Sequence, residues 1–97
     1  MHIISRRPLR DFSKQHSPAK TLLDAWFSEV SRAEWNCFAD LKARYGSADV
    51  VAGNRVIFNI GGNKYRLVVK IAYKSKTVFV RFVGTHAEYD RIDVKNV

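Results

Sequence analysis

A single cysteine, Cys37, stands among 97 residues. One thiol cannot close an internal disulfide, and no Cys/His spacing of the metal-binding kind accompanies it, so the chain reads as a protein of a reducing compartment. No apolar run approaches the ~18 residues of a membrane span. No basic-then-apolar leader follows Met1, so neither membrane insertion nor export is expected, and the cytoplasm is the expected location. Internal repeats and low-complexity linkers are also missing. The length and a 46% hydrophobic share describe one domain over residues 1–97, which excludes a two-domain enzyme. A chain this short buries a little over ~60% of its unfolded surface, enough for one thin core. Any active site is therefore expected on an open surface.

Acidic side chains are scarce, and their placement is uneven. Lys and Arg total 17 against 9 Asp and Glu, a net charge of +8, which points to polyanionic partners. Residues 1–54 carry eight basic and six acidic groups, residues 55–97 nine and three. From Val50 through Ala87 there is no acidic side chain, yet Arg55, Lys64, Arg66, Lys70, Lys74, Lys76 and Arg81 fall in that window. A merely soluble basic surface is the plainer reading of such a run, so geometry has to decide.

The hydrophobic period changes once, near residue 50. Before it, a short β-like opening at His2 to Ser5 precedes a helix with Pro8 in its first turn, reaching about His16. Ser17 then Pro18 is a helix-start signal, with Ser17 as the capping hydroxyl. Leu22, Leu23, Trp26, Phe27, Val30 and Ala33 recur at spacings of three and four, a broad apolar stripe. A third helical piece spans about Cys37 to Tyr45 and stops at Gly46. After residue 50 the pattern alternates with period two, predicting strands at about Arg55 to Ile60, Lys64 to Tyr73 and Thr77 to Val83. Gly61, Gly62 and Asn63 suit a tight hairpin turn, and Lys74 to Lys76 a second reversal. Read as a phosphate loop, Gly61-Gly62 would need a following helix, and none follows.

Side chains alternate between the faces of a strand, so each predicted strand offers two surfaces. Tyr65, Leu67, Val69, Ile71 and Tyr73 share one face, and Lys64, Arg66, Val68, Lys70, Ala72 and Lys74 the other. The last strand splits Val78, Val80 and Phe82 from Thr77, Phe79, Arg81 and Val83. The first splits Val56, Phe58 and Ile60 from Arg55, Ile57 and Asn59. With helices covering the apolar face, Asn59, Arg66, Lys70 and Arg81 converge on an open basic face that suits a phosphodiester chain. Trp26, Phe27 and Trp35 are expected to pack, and His2 and His16 have no polar company.

The segment Gly84-Thr85-His86-Ala87-Glu88-Tyr89-Asp90 places a histidine, a phenol and a carboxylate at the end of a strand with basic neighbours. An imidazole moves protons near neutral pH. Tyr89 can stack on a base, donate a hydrogen bond or simply cover the sheet edge. Arg66 and Arg81 are suited to a pentacoordinate phosphorus, which a planar guanidinium fork neutralises well. Asp90 either orients His86 or pairs with a base such as Arg91. A lone histidine near a strand end is more often structural or solvated, and Asp90 is more easily read as structural than catalytic.

The run Phe58-Asn59-Ile60-Gly61-Gly62-Asn63-Lys64-Tyr65-Arg66-Leu67, then Arg81, then Val83 through Asp90, resembles the HigB-type toxins of bacterial toxin–antitoxin pairs, within the RelE-like superfamily. Asp40-Leu41-Lys42 and Asn54-Arg55-Val56 are similar to that family's pattern too, so the likeness covers nearly the whole chain. It implies an α+β, RelE-like fold: a small antiparallel sheet, a three-stranded meander plus a short N-terminal strand, with two to three helices packed on one face. It also implies a ribosome-dependent endoribonuclease, an mRNA interferase that cuts mRNA in the decoding site of the small subunit. A cognate HigA-type helix-turn-helix antitoxin would hold it inactive and carry it to operator DNA. By position Arg66 matches the superfamily's phosphate-binding arginine, and His86 lies where a second functional residue follows the last strand. Asn59 stands where some branches have lysine, so their acid and base roles do not transfer.

The expected reaction uses the RNA's own 2′-hydroxyl and needs neither a metal, a cofactor nor a protein nucleophile. Arg66 and Arg81 would stabilise the phosphorane, His86 would transfer a proton and Tyr89 would position the base or ribose. Asn59, Lys64, Lys70, Lys74 and Lys76 would hold RNA. The rival class is a non-catalytic RNA-binding or ribosome-associated module, and a second is an operator-DNA binder. Residues 1–46 offer no basic recognition helix for the latter.

Overall fold

Two hydrophobic periods become two layers. The computed structural model describes residues 1–62 and 64–97. Strand β1 (His2–Ile4) leads into helix α1 (Arg7–Gln15), which has Pro8 in its first turn and buries Leu9 and Phe12. Only His16 separates α1 from α2 (Ser17–Arg32). His16, not Ser17, occupies the capping position, and no side chain caps this helix. The His16 ring stacks on Phe12 at 4.3 Å, which sets the break between the helices one residue earlier than the Ser-Pro signal suggests. Helix α2 buries Ala19, Leu23, Trp26 and Val30, a narrower stripe than expected, with Leu22 39% exposed. Helix α3 (Phe38–Arg44) contributes the fully buried Leu41. Glu29 of α2 ties down the end of α3, pairing with Arg44 and accepting from the Tyr45 hydroxyl at 2.9 Å. Burial, then this bond to Glu29, push the Tyr45 phenol well above its ordinary pKa.

The remaining elements are strands β2 (Asp49–Val51), β3 (Arg55–Ile60), β4 (Tyr65–Ala72) and β5 (Thr77–Thr85), and a short helix α4 (His86–Tyr89). They form a five-stranded sheet in the order β1-β5-β4-β3-β2. The meander β2 to β5 is antiparallel, but β1 runs parallel to β5, so the sheet is mixed rather than wholly antiparallel. Strand β2 was not expected: three residues, two of them exposed, leave too short an alternation to read. Positive φ at Gly61 and Gly62 turns β3 into β4. Asn63, assigned to the same turn, lies outside the described residues.

One face of the sheet carries Val56, Phe58, Ile60, Tyr65, Leu67, Val69, Ile71, Val78 and Val80 against Leu9, Phe12, Leu23, Trp26 and Val30 of the helices. Trp35 joins this core with its ring edge-on to Tyr45. Strand β5 departs from simple alternation. Val68 pairs with Phe82 while the next residue, Val69, pairs with Val80, so Arg81 is the extra residue of a β-bulge. The bulge reverses the faces beyond it. Phe82, expected in the core, stands on the open face, and Val83, expected outside, packs on the core.

Candidate nucleic-acid interface

Cross-strand register arranges the open face in three rows. Asn59, Arg66 and Gly84 form one, Ile57, Val68 and Phe82 the next, and Arg55, Lys70 and Phe79 the third. The middle row corrects the expectation of a simply cationic surface. Ile57 and Val68 are buried although they face away from the core, giving the open face an apolar centre between two basic ends.

Gly84 shapes the first end. A Cβ there would lie 2.5 Å from Cζ of Phe82 and 3.2 Å from Cβ of Glu88, so only glycine lets the Phe82 ring lie across the strand opposite Arg66. Phe82 in turn neighbours the Tyr89 ring, centroids 6.5 Å apart, and the Arg66 guanidinium sits 5.3 Å from the Tyr89 centroid. Tyr89 is held there by a capping box. The Glu88 N–H donates to Thr85 Oγ1 at 3.2 Å and the Thr85 N–H to Glu88 Oε1 at 2.8 Å. The backbone bond from Thr85 is the main reason that the Glu88 carboxyl lies below its ordinary pKa. The His86 N–H reaches the Lys64 carbonyl at 3.3 Å, joining α4 to the end of β4. His86 Nδ1 lies 3.2 Å from Asp90 Oδ2, so the two side chains meet one helical turn apart at this end of the sheet. The pair is half exposed, so its attraction is worth at most ~1 kcal/mol and its use is directional.

Among the described residues, two polar atoms in this row are buried without a partner: Arg66 Nε and Asn59 Oδ1. Asn59 Nδ2 donates to the Ser47 carbonyl at 3.2 Å, which fixes the amide. An unsatisfied buried donor costs ~1–3 kcal/mol. Arg66, Asn59, Tyr89, His86, Asp90 and the Lys64 backbone thus come together at one end of the sheet.

The other expected residues lie elsewhere. Lys70 is exposed in the third row. Lys74 is exposed beyond the far end of β4, and the Lys76 amine is turned to the helical side, donating to the Trp35 carbonyl at 3.1 Å and to Asn36. Arg81, on the bulge, sits ~7–10 Å along the sheet from the Arg66 row and donates through Nε to the Val97 carbonyl at 3.3 Å. Arg55 donates to the same oxygen through Nε at 3.1 Å and Nη2 at 2.9 Å. Arg55 and Phe82 were not singled out from the sequence; the acid-free window held Arg55, and nothing local announced the bulge. Among the described residues no group of three or more His, Cys, Asp and Glu is placed to hold a metal, and no helix is long and apolar enough to cross a membrane. A groove of about 530 Å³ between α1 and α2, floored by Leu9, Leu23 and Phe27, lies in the helical layer, away from Arg66.

Known proteins align with this arrangement along its length. The HigB toxin family, described as the RelE-like toxic component of a toxin–antitoxin system, matches residues 19–92. An mRNA interferase toxin HigB from Escherichia coli K12 is 32% identical over 92 residues, covering 93% of this chain and 88% of the relative. An mRNA interferase HigB from Shigella flexneri matches to the same extent. Another, from Escherichia coli O6:H1, is 22% identical over 95% of the chain and 91% of its own length. A match of this extent, on an α+β sheet with its helices to one side, makes the chain a member of the HigB family of RelE-like toxins, whose natural counterpart is an antitoxin.

Proposed function

We propose that the protein is a ribosome-dependent endoribonuclease that cleaves mRNA at the decoding site and so arrests translation. The observation that carries this reading is Arg66: a half-buried guanidinium whose Nε has no partner among the described residues, backed by Tyr89 and flanked by Asn59 and the His86–Asp90 pair. The relatives named mRNA interferases support the substrate class.

In the reaction, the 2′-hydroxyl attacks the adjacent phosphorus, the P–O5′ bond breaks, and a 2′,3′-cyclic phosphate and a 5′-hydroxyl remain. Arg66 faces the phosphorane, whose added charge a fixed guanidinium stabilises more than it does the ground state. With Asp90 accepting from Nδ1–H, His86 Nε2 is the atom through which a proton moves. Tyr89 stacks on the base or ribose and holds Arg66 in place. Lys64 and Lys70 add charge contacts without sequence preference. So few groups make a modest catalyst alone, and the ribosome supplies the substrate geometry. A HigA-type antitoxin would restrain the enzyme in the cytoplasm and link it to operator DNA.

Primer extension on a reporter mRNA in reconstituted translation, with and without ribosomes, tests this for the protein and its Arg66→Ala and His86→Ala variants. In-frame cuts that need ribosomes and both residues are expected. Cutting by folded variants of both would overturn the assignment, and intact RNA despite tight binding would leave a non-catalytic RNA-binding module.

A further inference from the structure

The middle and third rows of the open face carry a second arrangement that the Arg66 site does not use. Arg55 and Arg81 approach each other across β4 and direct three N–H groups onto one oxygen, the carbonyl of Val97. Arg55 is supported from below: Gly53, at φ +77°, has no Cβ where one would stand 2.5 Å from Nη1 of Arg55. Arg81 owes its position to the bulge, which re-aims a side chain at the cost of one ladder pairing. Among the described residues no Asp or Glu pairs with either guanidinium. Two guanidinium groups that converge on one oxygen make a point that favours an anion.

The segment that supplies the carbonyl is itself built to fold back. Asp93 accepts from the Lys95 N–H at 3.2 Å and from the Asn96 side-chain amide at 2.5 Å, and its carbonyl accepts from the Asn96 N–H at 2.9 Å. This Asx-type turn reverses the chain after α4 and brings Val97 over the sheet. Apart from those three bonds to Val97, no hydrogen bond ties residues 94–97 to the sheet among the described residues.

We propose that Arg55 and Arg81 form a second phosphodiester seat, for a phosphate of the same RNA strand near the scissile one, and that Val97 occupies this seat until RNA displaces it. This rests on the ribonuclease reading for its ligand and deepens it. Arg81 then acts in binding, Arg66 alone faces the reacting phosphorus, and the row of Ile57, Val68 and Phe82 separates the two sites, its half-buried Phe82 ring offering a base a surface to lie on.

The test is a titration of the full chain with a short 2′-O-methyl oligoribonucleotide, which lacks the free nucleophile, followed by NMR. The Nε–H resonances of Arg55 and Arg81 should shift together with the Val97 amide resonance as the Val97 oxygen is released. Arg55→Gln and Arg81→Gln should each weaken binding by about tenfold or more. The double variant should lose little beyond either single one, because both hold one phosphate. The slope of log affinity against log salt should fall by ~0.7, the share of one phosphate contact on a single strand. Arg55, Arg81 and Val97 signals that stay in place, or strictly additive losses, overturn the seat. Retained cleavage of mRNA on ribosomes in that case leaves the ribonuclease reading intact. Conversely, a responding seat in a protein that cuts nothing would sustain the seat and remove the nuclease.

Discussion

The two faces of the sheet are made by the same strands and obey opposite rules. Toward the helices, Val56, Phe58, Leu67 and Val69 are closed off in an apolar layer, and the one unpaired buried polar side-chain atom described there is the indole nitrogen of Trp26, whose ring meets Phe58 edge-on. On the other face, Arg66 and Asn59 each leave a buried polar atom unpaired among the described residues, and Arg55 and Arg81 share one oxygen of Val97. Burial of the first kind supports the fold. Polar atoms left unpaired in the second kind weaken it slightly. Alternation lets adjacent residues, such as Arg66 and Leu67, belong to these different economies with no insertion between them.

The sharpest way to break the comparison is to remove one large group from each face. Phe58→Ala should lower unfolding free energy by ~3–5 kcal/mol, the cost of a buried aromatic and its cavity. Arg66→Ala, a few residues away across the β3–β4 ladder, should change stability by less than ~1 kcal/mol yet reduce mRNA cleavage by ~10²–10³-fold. Urea titration and primer extension on the same two proteins read both numbers. A large stability loss for Arg66→Ala would mean that the open face is structural after all. A smaller effect is expected at Gly84, where the two faces meet through Phe82. Gly84→Ala forces the ring aside and should cost ~1–3 kcal/mol, and adding Phe82→Ala should recover part of that loss. Because Phe82 supports Tyr89 and hence Arg66, cleavage should not recover with stability. Full recovery of cleavage would separate Phe82 from the site.

Much of this was legible before any coordinates. The three long strands, the first three helices and the Gly61-Gly62 turn follow from period and turn chemistry within a residue or two at their ends. The convergence of Asn59 and Arg66 follows from hairpin register alone. What escaped was whatever depends on pairing rather than pattern. A bulge adds one residue without changing composition, so Phe82 and Val83 exchange faces with nothing in the local sequence to announce it. The parallel pairing of β1 is fixed by where α1 and α2 return the chain, and β2 is too short to carry a period. Lys76 looked like one more surface cation, and only the tertiary structure shows its amine spent on Trp35 and Asn36. Arg55 was visible in the acid-free window but has meaning only beside Arg81.

The smallest effects belong to α4, which joins the two faces' concerns by holding His86 and Tyr89 with a cap instead of a core. None of its four residues is buried, so its order rests on Thr85 and Glu88. Thr85→Ala should remove about 1 kcal/mol, seen as faster amide exchange at Glu88 and a loss of cleavage larger than the change in global stability. Acid should do the same gradually. The Glu88 carboxyl titrates lower in the folded protein than in the unfolded chain, chiefly because its carboxylate accepts the Thr85 N–H. Its contribution is therefore complete above the ordinary glutamate value of about 4.3 and disappears as the pH falls through the depressed one. Between neutrality and about pH 5 the cap should be indifferent to pH. Below that range the Thr85 amide resonance should move with the titration of Glu88, and Glu88→Gln should abolish the movement. A Thr85 amide that follows His86 or Asp90 instead would show that the orienting pair, and not the capping box, holds this end of the open face.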